Sequence, residues 1–200
     1  MNVRRYLHKF IKKLHSKDIY KSYIHSTSKV EADSQIVLSS FGRHTYCGYG
    51  CTILNTCVDS FVSIGDNVSI GLSSHPLQYV SLSPVFLSHR DSVKKKFAKF
   101  EYYPDLKTNV QSDAWIGKGA FIKSGVTIAV GSVVGMNSVL TKSTLPYGIY
   151  AGNPAKLIRF RFDRQVRDLL LASHWWNLPD YRLAELGKYF DSPENLFSHL

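Results

Sequence analysis

Apolar residues recur at every sixth position between residues 110 and 140: Val110, Ile116, Ile122, Ile128, Val134 and Leu140. The intervening hexads read VQSDAW, IGKGAF, IKSGVT, IAVGSV and VGMNSV. Four places after each opener stands a small residue or Val: Ala114, Ala120, Val126, Ser132, Ser138. A helix repeats at 3.6 and an ordinary strand at 2, so a period of six excludes both. It predicts a parallel β-helix, in which three short flat faces make one triangular coil. The aliphatic residue points into the prism, and the small one lies near a corner without room for bulk. Gly117, Gly125, Gly131 and Gly135 are expected at turns that need backbone freedom.

A second, less regular array precedes it. Its openers are Ile24, Val30, Ile36, Phe41, Cys47, Ile53, Val58, Ile64 and Ile70, with two steps of five among the sixes. Coils of roughly 18 residues rise about 4.8 Å each, so the arrays together predict about five coils and a prism on the order of 25 Å tall. Residues 72–109 break the period. Loops this long are usually functional. After Leu140, Pro146, Gly148, Gly152 and Pro154 mark an exit. Asp163 suits the N-cap of a helix carrying Val166, Leu169 and Leu170, which WWNLP stops. Shorter helices are expected around 181–189 and after Ser192, and this tail is expected to cover the open end of the prism.

At the other terminus, residues 3–17 place Leu7, Phe10, Ile11 and Leu14 on one helical face, with the lysines mostly opposite. The expected organisation is therefore mainly β. A basic N-terminal helix occupies 1–22, a β-helix 23–145 with an excursion at 72–109, and an exit segment with a C-terminal helical cap 146–200.

Composition narrows the function classes. The formal charge is +10, and Arg4, Arg5, Lys9, Lys12, Lys13, Lys17 and Lys21 against Asp18 place +6 of it in the first 21 residues. A second basic cluster, KKKFAK, spans 94–99 within the excursion. This charge suits anionic ligands or an anionic membrane surface, and a basic amphipathic helix can lie on such a surface. The basic residues are not interleaved with a nucleic-acid motif, so no nucleic-acid partner is expected. No apolar run reaches transmembrane length, and the N-terminal segment lacks the apolar core of a secretory signal, which points to a cytoplasmic protein. Cys47, Cys51 and Cys57 are too few and wrongly spaced for a disulfide framework or a zinc site, and are expected as small inward-facing side chains. The histidines (8, 15, 25, 44, 75, 89, 174 and 199) give no close pair within the arrays, as the zinc site of a γ-type carbonic anhydrase would need, so no metal is expected.

Three features carry candidate chemistry. His75 opens the excursion just after a coil, followed by Pro76, where an imidazole can transfer a proton. Trp115 is a bulky ring in an array of small and aliphatic residues, fit to wall a slot. Thr141-Lys142, Lys156 and Arg159 surround the exit turn, and cationic side chains with backbone amides suit a phosphorylated ligand.

These residues carry a resemblance. The tandem hexads, SSHP with its following loop, WIGKGAFIKSGVTI, VLTK, YGIYAGNPAKLIRFRF and the Trp pair resemble the hexapeptide-repeat acyltransferases. More narrowly, the chain is similar to the xenobiotic (CatB-related) acetyltransferase group, which includes sugar and polysaccharide O-acetyltransferases; the match spans roughly residues 30–185. The resemblance implies a left-handed coil, a homotrimer with active sites between subunits, and acetyl-CoA as donor. It implies His75 as general base for direct transfer and Trp115 beside the reacting end. Lys118, Met136 and Thr141 would line the pantetheine slot, with Lys142, Lys156 and Arg159 near the nucleotide phosphates. Met136-Asn137 departs from the Gly or Ala that the family usually carries there. The basic helix and Lys-rich excursion favour a carbohydrate acceptor in a surface polysaccharide or its precursor, anionic or membrane-proximal. The alternatives are an antibiotic acceptor of the chloramphenicol or streptogramin type, and a non-catalytic trimeric binding module.

If residues 3–17 bind membrane, the full chain should float with anionic vesicles and a chain starting near Ile24 should not; equal partitioning of the two would exclude that role.

Overall fold

A computed structural model describes residues 16–72, 74–88, 93–102 and 106–200. The helix expected over 3–17 lies outside them except for its last two residues. The hexads fold into the expected left-handed parallel β-helix. The chain passes through three faces in turn. Face A carries Asp18–Tyr20, Gln35–Val37, Thr52–Leu54, Ser69–Leu72, Phe121–Lys123 and Val139–Leu140. Face B carries Tyr23–Ile24, Ser40–Phe41, Thr56–Val58, Thr108–Val110 and Thr127–Ile128. Face C carries Lys29–Val30, Tyr46–Cys47, Ser63–Ile64, Trp115–Ile116, Val133–Val134 and Gly148–Gly152, and ends in Ala155–Phe160, which pairs antiparallel to its neighbour. Faces A and C thus hold one more rung than the five expected. Asp18–Tyr20 starts the prism before Ile24, and Gly148–Gly152 prolongs it past Leu140.

Every opener is buried except Ile24, which packs half-buried against the same core. At roughly 1.5–3 kcal/mol per buried aliphatic side chain, this column is the main driving force for the coil. The two arrays continue each other across the excursion: Val58 pairs with Val110, Ile64 with Ile116 and Ile70 with Ile122. The excursion therefore leaves the prism at Leu72 and returns at Thr108 without disturbing the stack.

The position four after an opener proves to need more than small size. Ser132 Oγ donates to the Leu145 carbonyl of the next coil at 2.8 Å. Thr45 Oγ1 donates to the Asp59 carbonyl at 2.9 Å and accepts from the Val62 amide at 3.2 Å. A hydroxyl there stitches adjacent coils where the strands have turned away, satisfying polar groups that would otherwise be buried unpaired. The glycines divide in the same way. Gly125 and Gly131 take the positive φ (+78° and +64°) that a turn requires. Gly117 is instead a close approach, since a Cβ there would lie 2.5 Å from the Met136 amide nitrogen one coil away. Of the cysteines, Cys47 and Cys51 are buried as expected. Cys57 is not inward: it lies between inward Thr56 and Val58, faces out of face B, and accepts from Ser40 Oγ at 3.5 Å.

The tail runs along the edge between faces B and C, rather than only across an open end. Successive coils present Arg43–His44, Phe61, Asp113, Gly131 and Tyr147 there, joined by backbone hydrogen bonds from Phe61 to Arg43, Asp113 to Ser60, Gly131 to Ser112 and Tyr147 to Val130. Helix α1 (Arg164–Ser173) is capped by Asp163, whose carboxylate accepts from the Val166 amide, and places Leu170 in a second core with Tyr147 and Trp175. Trp175 packs on Phe61 with ring centroids 5.1 Å apart, and Arg161 donates to Asp113 at 2.8 Å. Asp180, the first residue of α2 (Asp180–Leu186), accepts from Arg43 and from His44 Nε2, and Arg43 also caps the Trp176 and Leu178 carbonyls. The last helix, α3 (Pro193–Phe197), is capped by Ser192 and buries Leu196 in this core. The edge offers unmatched aromatic and charged groups on every coil, whereas the prism's last strand already has its partner in the Gly148–Phe160 hairpin.

Two outcomes are expected. Gly117→Ala should lower stability by about 1–3 kcal/mol, as overpacking against backbone does, read as a drop in Tm on thermal unfolding. The His44 imidazole, and after it the Arg43 guanidinium, hold the Asp180 carboxyl below its ordinary range. Its stabilising contribution is then complete above the unfolded carboxylate value, about 3.9, and is lost as pH falls further. The Tm gap between the unsubstituted protein and Asp180→Asn should accordingly shrink between pH 6 and pH 3; a gap independent of pH would disprove the latch.

Candidate active site

His75 leaves face A at its edge with face B, three residues beyond the strand Ser69–Leu72. Its imidazole is exposed, and Nδ1 lies 2.8 Å from the Leu82 carbonyl oxygen. A carbonyl only accepts, so Nδ1 carries the proton and Nε2 is left as the basic nitrogen facing solvent. The group that orients His75 is thus a main-chain carbonyl supplied by the excursion itself. The neighbouring Ser74 Oγ meets Tyr102 Oη at 2.9 Å, which ties the start of the excursion to its return limb.

The excursion is built as an arm of two limbs. Ser83 caps a short 3-10 turn, Pro84–Phe86, and Leu87 bridges to Phe100. Lys96 Nζ lies inside the arm and donates to the Pro84 and Leu87 carbonyls at 3.0 and 2.7 Å. This lysine of the basic cluster has a structural task, while Lys94, Lys95 and Lys99 are exposed. Gln78, Tyr79, Val80, Ser81, Phe86 and Phe100 line a cavity of about 560 Å³ in the arm, close in sequence to the Leu82 carbonyl that holds His75.

The other candidate residues fall into two groups. Thr141 and Lys142 follow the strand Val139–Leu140 on the His75 edge. Leu72 pairs with Lys123, and Ile122 with Leu140, so His75, Lys123 and Thr141-Lys142 leave the same edge on successive coils. All three lysine and threonine side chains are exposed. The second group belongs to face C and its edge with face A. Trp115 points outward at 52% exposure. Lys118 and Met136 stack on that edge, where the Asn137 amide donates to the Lys118 carbonyl at 2.9 Å, and Lys118 Nζ lies 3.8 Å from Asp66. Arg159 aligns with Ile149 on the last hairpin and Lys156 with Ala151, both exposed. Trp115, Val133, Ile149 and Arg159 therefore form one row across face C, about 14 Å long at the spacing of paired strands. Within one chain, face A separates His75 from Trp115.

The residues leave open a carboxylate or a main-chain carbonyl as the group that orients His75 and cannot name the Leu82 carbonyl, which has no side-chain signature. Sequence reasoning also passed over Lys123, although that residue follows the opener Ile122 just as Thr141 follows Leu140. Among the described residues no group of His, Cys, Asp and Glu could hold a metal ion, and no helix is long and apolar enough to cross a membrane.

No family model matches the chain. The chloramphenicol acetyltransferase of Agrobacterium fabrum is 37% identical over 129 residues, which cover 63% of this chain and 61% of that protein. The galactoside O-acetyltransferase of Escherichia coli K12 is 30% identical over 129 residues, 62% of this chain and 54% of that one. Over 129 residues in each case, the chain is similar to acetyltransferases of the chloramphenicol and galactoside kinds. It spans about three fifths of the length of the chloramphenicol acetyltransferases it matches. Among solved structures, a galactoside acetyltransferase in complex with coenzyme A covers 79% of this chain and 71% of its own, at a TM-score of 0.51 and 22% identity, a likeness of fold.

Proposed function

We propose that this protein is an acetyl-CoA-dependent O-acetyltransferase that acts on a hydroxyl of a sugar in a surface polysaccharide or its precursor. The observation that carries the chemistry is the hydrogen bond from His75 Nδ1 to the Leu82 carbonyl, which leaves Nε2 as an oriented base at the prism's edge. Nε2 takes the proton of the acceptor hydroxyl as its oxygen attacks the thioester carbonyl. The tetrahedral adduct collapses, the C–S bond breaks, and the leaving thiolate takes the proton back from the imidazolium. The products are an acetyl ester and the free thiol of coenzyme A, with no covalent enzyme intermediate. The names of the relatives, acetyltransferases for chloramphenicol and galactosides, support acetyl transfer and leave the acceptor open.

The separation of His75 from Trp115 supports a shared site. In a homotrimer, His75 of one copy would face Trp115 of the next. Lys118, Met136 and Thr141 would line the donor's slot, and Lys142, Lys156 and Arg159 would meet its phosphates. A cytoplasmic location with residues 3–17 resting on the inner membrane face fits the basic amphipathic pattern of that segment.

One observation favours a second acceptor class. The arm's cavity is largely apolar, and Val80 and Phe100 of its lining are exposed, which suits an aromatic antibiotic of the chloramphenicol type. Acetyl-CoA turnover measured side by side with glycans and chloramphenicol separates the two; turnover with chloramphenicol alone refutes the glycan reading. His75→Ala should lower turnover by about 10²- to 10⁴-fold, the value of a positioned general base, while equilibrium dialysis still detects acetyl-CoA binding. Unchanged turnover would remove His75 from the mechanism.

A further inference from the structure

A cavity of about 260 Å³ lies in the seam between the tail and the prism's edge of faces B and C. Asp113 and Tyr147 line it from the prism, and Arg161, Trp175, Phe190 and Leu196 from the tail. A water takes about 30 Å³ in the liquid, and drug-sized pockets begin near about 300 Å³, so this space suits a single-ring molecule. Tyr147 is 1% exposed, and among the described residues its Oη is the one buried side-chain polar atom without a hydrogen-bond partner. Burial, with the Asp113 carboxylate adding to it, pushes the phenol's pKa up to about 12, so its proton stays on. The Trp175 indole is close enough to oppose that rise slightly. An indole N–H only donates, however, so it offers the phenolic proton no acceptor.

The hydroxyl is not free to swing to a partner. The Tyr147 ring lies against Gly131, where a Cβ would come within 2.3 Å of its Cδ1. It meets Phe162 edge-on at 5.8 Å and has the Arg161 guanidinium over it at 5.4 Å. Its backbone is left-handed (φ +58°), an uncommon state for a residue other than glycine. A second unmatched group lines the same cavity. Arg161 donates to Asp113 Oδ2 at 2.8 Å, and Oδ1 has no partner among the described residues. Burial raises this carboxyl's pKa, and Arg161 offsets only part of the rise. One cavity thus holds a donor without an acceptor and an acceptor without a donor, each of which is costly to leave unmade.

We propose that this seam binds a small, neutral, planar amide, a single-ring carboxamide or lactam. Its carbonyl accepts from Tyr147 Oη, its N–H donates to Asp113 Oδ1, and its ring lies among Trp175, Phe190 and Leu196. The charges select against ions. Asp113 and Arg161 neutralise each other, and Asp191, also in the lining, adds a negative charge that disfavours an anion. A cation without an acceptor atom would leave the phenolic proton unmatched. The seam lies on a different edge of the prism from His75, so the site is separate from the proposed acetyl transfer and does not rest on it. A ligand there touches two coils and the tail together, so its binding also clamps the tail to the prism.

The test uses the full chain with benzamide and uracil as probes and benzoate as a control that accepts but cannot donate. Tyr147→Phe keeps the ring and removes only the hydroxyl. Binding is read by isothermal titration calorimetry and by thermal unfolding. We expect at least one amide to bind and to raise the Tm by about 3–6 °C at about ten times its Kd, with benzoate silent. Tyr147→Phe should weaken amide binding about tenfold, the value of one hydrogen bond to a neutral group. Without ligand, the same variant should unfold at an equal or higher temperature, since it removes an unmatched polar group from the interior. A lower Tm for the unliganded variant, the mark of a hydroxyl already satisfied by water, overturns the proposal. So does the absence of amide binding, amide binding that Tyr147→Phe leaves unchanged, or benzoate binding as strong as that of benzamide.

Discussion

The structure depends on one constraint: each coil must hydrogen-bond to the next through its whole backbone circuit, corners included. The strands are two to six residues long and none could stand alone. They hold because residue pairs such as Ile53–Ile70, Ile70–Ile122 and Ile122–Leu140 stack in strict register, placing apolar side chains in one continuous column. Register in turn demands equal coils. This is why the corner positions are filled by glycine, by left-handed His44, Phe61 and Asp113, and by hydroxyls that bridge coils.

A regular prism gives three vertical edges, and this chain uses each differently. The edge between faces B and C carries aromatic and charged groups that clamp the tail. The edge between A and B releases the excursion and places His75, Lys123 and Lys142 on successive coils. The edge between C and A is kept smooth by residues such as Gly117, leaving Lys118 and Met136 at the surface. Under the proposed function this straight, rigid edge suits a thin donor, since binding a flexible molecule is costly unless its partner is already ordered. The described parts of the arm, 74–88 and 93–102, are the irregular, chemically varied part, and acceptor choice resides there under the proposed function.

Much of this was legible in the residues. The openers all turned inward, the Asp163 and Ser192 caps form, and the excursion departs where the period breaks. Other positions misled for identifiable reasons. Gly117 reads like a turn glycine, but its role is steric. Cys57 reads like another core residue, but the strand Thr56–Val58 gives its middle position to the outside. Lys96 reads as part of a basic loop, yet its ammonium satisfies carbonyls within the arm. The tail reads as an end cap, yet it packs along the edge between faces B and C, against Phe61, Asp113 and Arg43.

The sequence by itself determined the coil, its inward column and the point where the excursion leaves, because a period of six is a local property that hydrophobic burial enforces identically on each turn. It also singled out His75 and Trp115 as unusual residues. Only the tertiary structure decided which residues share a face. Tyr46, Ser63 and Trp115 are separated by 17 and 52 positions and become neighbours only through strand pairing. Likewise, only the folded arm brings the Leu82 carbonyl to His75 and fixes its tautomer, since a main-chain acceptor has no signature in the residue that supplies it.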